Sequence, residues 1–246
     1  MKFFRADLHI HTVLSPCGDL EMSPVNIVSE AALKGLDIIG ITDHNTTRHC
    51  ELITRLATEK GIFVMQGAEV TTKEEVHCLA FFEKTYGLEK FQEFLDNSLP
   101  EVINDPVVFG YQLQVDEDEN VVYEENKLLI NAISKSFEET EAYVHSLDGL
   151  FIPAHLNRPK NSIYSQLGFL PDNIYADALE ISKTTTSELF STVHPEVKGF
   201  TVIRNSDAHY REDIGTAVTL FFIEEASFPE IKQALKNENG RNIIIE

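Results

Sequence analysis

Hydrophobic and polar positions alternate from Phe3 to His11 (Phe3-Phe4-Arg5-Ala6-Asp7-Leu8-His9-Ile10-His11), which predicts a strand. Ser23-Pro24 then supplies an N-cap and a proline at the first helical position, and Gly35 is suited to end that helix. Leu36 to Thr42 is apolar on both faces, as in a buried parallel sheet. A second helix is expected over about Thr46 to Lys60. Strands follow at Ile62 to Glu69 and Glu75 to Phe82.

The middle is less regular. Val107 to Tyr123 reads as a hairpin around Asp116-Glu117-Asp118-Glu119-Asn120, an acidic run whose plain reading is a solvated turn. A long helix is expected from Asn126 to about Ser146. Further strands are expected at Gly149 to His155, Ala176 to Ser182, Phe200 to Asn205 and Ala217 to Ile223. Ser227 would cap a last helix before Ile243-Ile244-Ile245. Buried strands alternating with amphipathic helices predict an α/β domain with a parallel sheet. No repeat or linker divides residues 1–246, so one domain is expected, with the hairpin inserted at about 105–125.

Polar residues gather where these strands end: His9/His11, Asp43/His44, Glu69, His155 and Asp207/His209. Chemistry collects at the C-terminal strand ends of barrels, so a closed or nearly closed barrel with one shared site is the simplest account. His9 and His11 leave the same face of a strand, with Asp7 one step earlier, and imidazoles so held suit zinc, manganese or iron. Asp207 and His209 repeat that spacing. Asp43 and Glu69 end apolar strands, where an unpaired carboxylate is costly. Each piece has a plain alternative: surface histidines on a half-exposed strand, Asp43 or Asp207 as a cap, His77 and His155 as hydrogen-bonded core residues. Taken jointly, six histidines and several carboxylates at successive strand ends are hard to explain as independent choices.

Asp7-Leu8-His9-Ile10-His11-Thr12, Thr42-Asp43-His44, Glu69 with His77, Pro153-Ala154-His155 and Ser206-Asp207-Ala208-His209 resemble, in order and over nearly the whole chain, the motifs of the polymerase and histidinol phosphatase (PHP) superfamily. The resemblance implies a distorted TIM-like barrel of seven β/α units, a trinuclear centre of zinc, manganese or iron, and phosphoester hydrolysis. It implies that His9, His11 and Asp207 hold one metal, with Glu69 bridging to a second completed by His77 and His155. His44 and His209 would hold the third with a ligand from the loop after the first strand. Asp19 is preferred there, because a hard carboxylate matches the rest of the site; a Cys17 thiolate would bias it toward zinc. Asp43 and Asp7 would orient histidines from behind. His49, His145 and His194 are expected to be exposed.

Acidic residues number 40 against 20 basic ones, a formal charge of −20. Such a surface repels nucleic acid and anionic membranes, so nucleic acid is an unlikely partner on this reading. Three divalent ions would leave about −14, so attraction of an anion must be local. Arg158 and Lys160, beside His155, are the candidate substrate cations. Three scattered cysteines, no apolar run of spanning length and no secretory leader suggest a reducing cytoplasm. The expected function is hydrolysis of a small phosphorylated metabolite through a metal-activated water. The alternatives are a nuclease or phosphodiesterase, and a non-catalytic metal-stabilised interaction module. Oligomeric state has no reading in the sequence.

Overall fold

The computed structural model describes residues 1–245. Seven strands form one mixed sheet that curls as a half-barrel. They are β1 (Lys2–Ile10), β2 (Ile38–Ile41), β3 (Phe63–Thr71), β4 (His77–Phe82), β7 (Leu150–Pro153), β10 (Thr219–Ile223) and β11 (Asn242–Ile245), in the spatial order β11-β10-β1-β2-β3-β4-β7. A separate parallel pair, β8 (Leu179–Ile181) with β9 (Val202–Arg204), lies across the open side. Leu156 N–H donates to Glu180 O (2.8 Å), and Ala208 N–H donates to His9 O (3.1 Å), so this pair bridges the end of β7 to the end of β1. The barrel is thereby nearly closed.

The sheet is not all parallel, as the apolar strands had suggested. Parallel pairing holds for β1–β2–β3, whereas β4 runs against β3 and β7, and β10 runs against β1 and β11. Only residues 72–76 separate β3 from β4, too few for a crossover helix. Reversal of β4 has a functional consequence. It puts His77, the first residue of β4, at the same edge as the C-terminal ends of the parallel strands. Tight spacing of this pair depends on Gly67, where a Cβ would collide with the carbonyl oxygen of Ala80.

Helices α1 (Pro24–Leu33) and α2 (Cys50–Thr58) cover one face. Ser23 Oγ accepts from Asn26 N–H, and Ile27, Val28 and Ala31 turn inward at helical spacing. Outside the predicted elements lies α3 (Thr85–Ser98), buried through Phe91 and Leu95. The long helix expected from Asn126 is only α5 (Phe137–Ser146), begun by a capping box between Ser136 and Glu139. The chain before it is irregular. Short helices α4 (Pro106–Phe109), α6 (Ile163–Leu167) and α7 (Ser187–Val193) fill connections, and α8 (Phe228–Leu235) packs under β10 and β11. The expected hairpin is β5 (Leu113–Val115) with β6 (Val121–Glu124), turned at Asp116 to Asn120. It rests on the first loop: Leu113 N–H donates to Val13 O, and a Cβ on Gly110 would strike Pro16 O. Among the described residues no helix is long and apolar enough to cross a membrane.

Candidate metal centre

Backbone pairing brings the site together. His11 N–H donates to Ala208 O (3.0 Å), Glu69 N–H to Asp43 O (3.1 Å) and Ala154 N–H to His77 O (2.9 Å). Ligand candidates from opposite ends of the chain thus stand side by side. His155 and Asp207 take left-handed backbone conformations (φ 32° and 54°), which non-glycine residues adopt only where the surroundings enforce them.

The donor atoms converge. His9 Nε2 and His11 Nε2 face each other at 3.2 Å; Glu69 lies 3.3 Å from each through Oε1 and Oε2, and Asp207 Oδ1 lies 3.4 Å from both. Ligand atoms about 2.0–2.1 Å from a common centre are about 2.8–3.4 Å apart at angles near 90–109°. These separations fit one first coordination shell. Around Glu69 Oε1 stand His77 Nδ1 (3.0 Å) and His155 Nε2 (3.1 Å), while His44 Nδ1 is 3.1 Å from Oε2. Within 4.8 Å groupings, His9, His11 and Glu69 form one candidate site, His44, Glu69 and His77 another, and His11, His44 and His209 a third. Both Asp207 oxygens and His44 Nδ1 are buried without an aligned hydrogen-bond partner. A cation would satisfy them; a core histidine set would not leave them so. The residues present therefore fit divalent metal.

Electrostatics agree. Burial would raise the Glu69 carboxyl, but His77, His9, His11 and His155 outweigh it and hold it well below the carboxylate range. Asp207 behaves likewise through His9 and His11. Burial lowers His9, yet Glu180, Asp207 and Glu69 raise it well above an ordinary imidazole. Burial and neighbouring His11 push His209 down to about 4.

Asp19 and Cys17 stand outside these groups. Asp19 Oδ1 accepts from Glu21 N–H and Cys17 is exposed; the third group has His11 where a loop ligand was expected. Asp7 does not touch an imidazole: it accepts from Ser206 N–H and Oγ and from Gly215 N–H, pinning the loop that carries Asp207, and burial pushes it up to about 6. Asp43 acts at one remove. It accepts from Thr12 N–H (2.7 Å) and Ser15 Oγ (2.7 Å), and Ser15 Oγ meets His11 Nδ1 at 3.0 Å. Arg158 Nη1 stands 2.6 Å from Asp207 Oδ2 as an ion pair. With Lys160, His77 and His155 it lines a cleft of about 350 Å³.

Two further residues escaped sequence reasoning. Glu180 is buried, meets His9 Nδ1 at 3.1 Å through both oxygens, and accepts from His155 N–H and Asn205 Nδ2. A lone carboxylate in Ala178-Leu179-Glu180-Ile181 was the available signal, the same that marks Glu69. His49, expected to be exposed, is buried; His145 is half-buried against Asp177, and His194 half-buried beside Tyr164 and Glu196. Asp177 holds the His145 ring, Tyr164, Phe190 and Glu196 hold His194, and His49 is held by Thr12 Oγ1 and the Val115 amide.

A curled α/β half-barrel with a buried histidine–carboxylate cluster at one sheet edge is the architecture of a metal-binding α/β domain. The PHP domain model matches residues 7–167, and a model described as PHP-associated matches residues 196–239. The chain belongs to the PHP family. It is 26% identical over 275 residues to the uncharacterized protein YqxK of Bacillus subtilis, covering 99% of this chain and 65% of that one. Among solved structures, it resembles the lesion-specific endonuclease EndoQ of Pyrococcus furiosus (TM-score 0.75, 23% identity, 98% of this chain and 57% of that one). The complex of endonuclease Q with a 27-mer duplex bearing an abasic lesion at the active site matches with TM-score 0.73 and 23% identity, over 98% of this chain and 58% of that one. A two-domain Bacteroides vulgatus protein with a predicted PHP-like metal-dependent phosphoesterase matches at TM-score 0.60 and 18% identity, over 99% and 65%. The chain thus spans less than two thirds of these relatives.

The expectation of a small anionic substrate, with nucleic acid unlikely, is contradicted by the neighbour solved with a duplex bearing an abasic lesion at its active site. Net charge averages over the whole surface, while a duplex would be met by one face, so −20 does not decide the matter.

Proposed function

We propose that this chain hydrolyses phosphodiester bonds in nucleic acid. The observation carrying this reading is the fold match along 98% of the chain to a DNA-lesion endonuclease, combined with a donor cluster spaced for metal. Three divalent ions, zinc, manganese or iron, would be held by His9, His11 and Asp207, by Glu69, His77 and His155, and by His44 with His209. When bound, such ions supply a water ionisable near neutral pH and neutralise phosphate charge. The chain's own residues do the rest. Glu180 orients His9, Ser15 and Asp43 orient His11, and Asp7 fixes the loop bearing Asp207. Arg158 and Lys160 at the cleft bind phosphate oxygens flanking the scissile bond, the arginine through a two-pronged contact. Free Cys17, Cys50 and Cys78 suit a reducing cytoplasm.

The test is cleavage by manganese- or zinc-loaded protein of labelled duplexes, intact or with one abasic site, and of a generic phosphomonoester. Strand scission lost in His9→Ala is expected. Monoester turnover with no scission on any duplex or single strand would overturn the reading.

A further inference from the structure

Outside the ligand set, one buried group has a proton arrangement that the mechanism above does not use. His49 lies on no sheet edge; it precedes α2 and is sealed beneath the hairpin. Its Nε2 accepts from the backbone N–H of Val115 in β5 (3.0 Å), and its Nδ1 stands 2.6 Å from Thr12 Oγ1. A backbone amide can only donate, so Nε2 carries no proton and the neutral ring bears it on Nδ1. His49 therefore donates to Thr12 Oγ1. That hydroxyl already accepts from Leu14 N–H (3.0 Å), which leaves its own proton for Asp43 Oδ2 (2.8 Å).

The ordering continues to the centre. Asp43 Oδ1 accepts from Ser15 Oγ at 2.7 Å. Having given its proton away, Ser15 Oγ accepts from His44 N–H (3.2 Å) and from His11 Nδ1 (3.0 Å). His11 is thus protonated on Nδ1, and its Nε2 is the atom that meets His9, Glu69 and Asp207. Asp43 accepts at both oxygens, so Thr12 and Ser15 each turn a proton toward it and a lone pair away from it, Thr12 toward His49 and Ser15 toward His11, and His49 is held at its other nitrogen by a main-chain amide of the inserted hairpin.

We infer that His49 is a positioning residue that ties the β5–β6 hairpin to the His11 ligand through Thr12, Asp43 and Ser15. It rests on the metal reading of the cluster but not on which phosphoester is cleaved. A structural histidine that only fills space would have no need of one particular tautomer, and burial lowers this ring's pKa, so that it stays neutral. The hairpin is the least buried part of the sheet structure, with Val121 to Glu124 all exposed. A contact that reports its seating to a metal ligand gives that insertion a role beyond covering the first loop.

Asparagine and glutamine separate the two ends of the ring. His49→Asn keeps a donor near the Nδ1 position and loses the acceptor for Val115; His49→Gln places its amide near the Nε2 position and loses the donor to Thr12. Titration calorimetry with zinc or manganese on metal-free protein is expected to give His49→Asn an affinity within about threefold of wild type. His49→Gln should be weaker by about ten- to a hundredfold, the range for lost support behind a metal-binding histidine. Amide exchange at Val115 should quicken in His49→Asn and not in His49→Gln. Equal affinities in wild type and His49→Gln, or equal losses in both variants, would overturn the inference. If His49→Gln does not fold, nitrogen chemical shifts of the wild-type ring decide: an Nδ1–H tautomer at neutral pH is expected, and an Nε2–H tautomer or an imidazolium overturns it. Wild-type protein that binds no metal would instead refute the metal reading.

Discussion

His9 and His209 face the same pocket and are built into it in opposite ways. His9 is fully buried on the floor, its Nδ1 held by both oxygens of Glu180, and the carboxylates around it draw its pKa well above an ordinary imidazole. His209 stands at the rim with 20% of its side chain exposed. Its Nδ1 meets the Asp207 carbonyl oxygen (3.0 Å) and stands 3.4 Å from Asp207 Oδ1, and burial with neighbouring His11 lowers its pKa to about 4. The floor is therefore a negative cage that demands a cation, whereas the rim offers a neutral imidazole that accepts one. Charge on the floor is satisfied by a proton until a metal replaces it. The rim has nothing to displace.

The floor should consequently fail first and most completely. Glu69 touches His9, His11, His44, His77 and His155, and no other carboxylate among the described residues reaches all five. Glu69→Gln keeps the shape and removes the charge. Metal content should drop, and the hydrolytic rate should fall by at least about 10³-fold, because a bridging charge is worth several kcal/mol at a metal centre. Elemental analysis and single-turnover rates check this. Full metal occupancy in the variant would contradict the cage.

A smaller loss is expected one layer out. Glu180→Gln leaves a hydrogen-bond acceptor for His9 Nδ1 but no charge, and should weaken metal affinity about ten- to a hundredfold, measured by competition with a chelator. His209→Ala should cost less than that at the floor sites and should leave them loaded. The reverse ranking would mean that rim and floor have been assigned the wrong way round.

How much of this was legible in the chain differs between the same two regions. His9, His11, Glu69 and Asp207 announce themselves because an ionisable group in an apolar strand has to be paired, and their spacing survives in any strand. Glu180 obeyed the same logic and went unread because its strand has three residues, too short to show a period. Barrel closure followed from strand ends sharing polar residues, whereas the reversal of β4 went unread although the few residues between β3 and β4 leave no room for a crossover helix. At the rim, loop conformation decides. Nothing in Ser15-Pro16-Cys17-Gly18-Asp19 says that the carboxylate turns onto Glu21 N–H, and nothing near His49 says that Val115 covers it. The helix α3 was missed because its buried face is carried mainly by Phe91 and Leu95, spaced by one turn among charged neighbours.

The proton balance gives a test that distinguishes the regions without any substitution at the floor. His9 is held well above, and His11 above, an ordinary imidazole in the metal-free protein by the carboxylates around them, so protons compete with a cation for these rings. Apparent affinity should rise with pH, by up to about tenfold per unit for each proton displaced, and flatten once both rings are neutral. His209, already neutral above about 4, adds nothing at that pH. Calorimetry in buffers of different ionisation enthalpy should show net proton release near pH 7, and His209→Ala should release as many protons as wild type. Binding that is independent of pH between about 6 and 8 would remove the negative cage from the account.

The mildest change should come from Asp19, the residue whose chemistry most resembles a ligand and whose geometry least does. Its Oδ1 accepts from Glu21 N–H at 2.8 Å, and its own N–H donates to His209 O at 2.9 Å, so it shapes the turn that lies against the rim. Asp19→Asn preserves the turn, because an amide oxygen also accepts that hydrogen bond. Stability should change by no more than about 1 kcal/mol, as for other turn caps. Metal stoichiometry should stay at the wild-type value, since Asp19 lies outside all three donor groups. Loss of one equivalent of metal, with the thermal midpoint unmoved, would show instead that the carboxylate swings from Glu21 to the centre once a cation is present. The rim would then supply charge after all, and the contrast between His9 and His209 would be a property of the metal-free state alone.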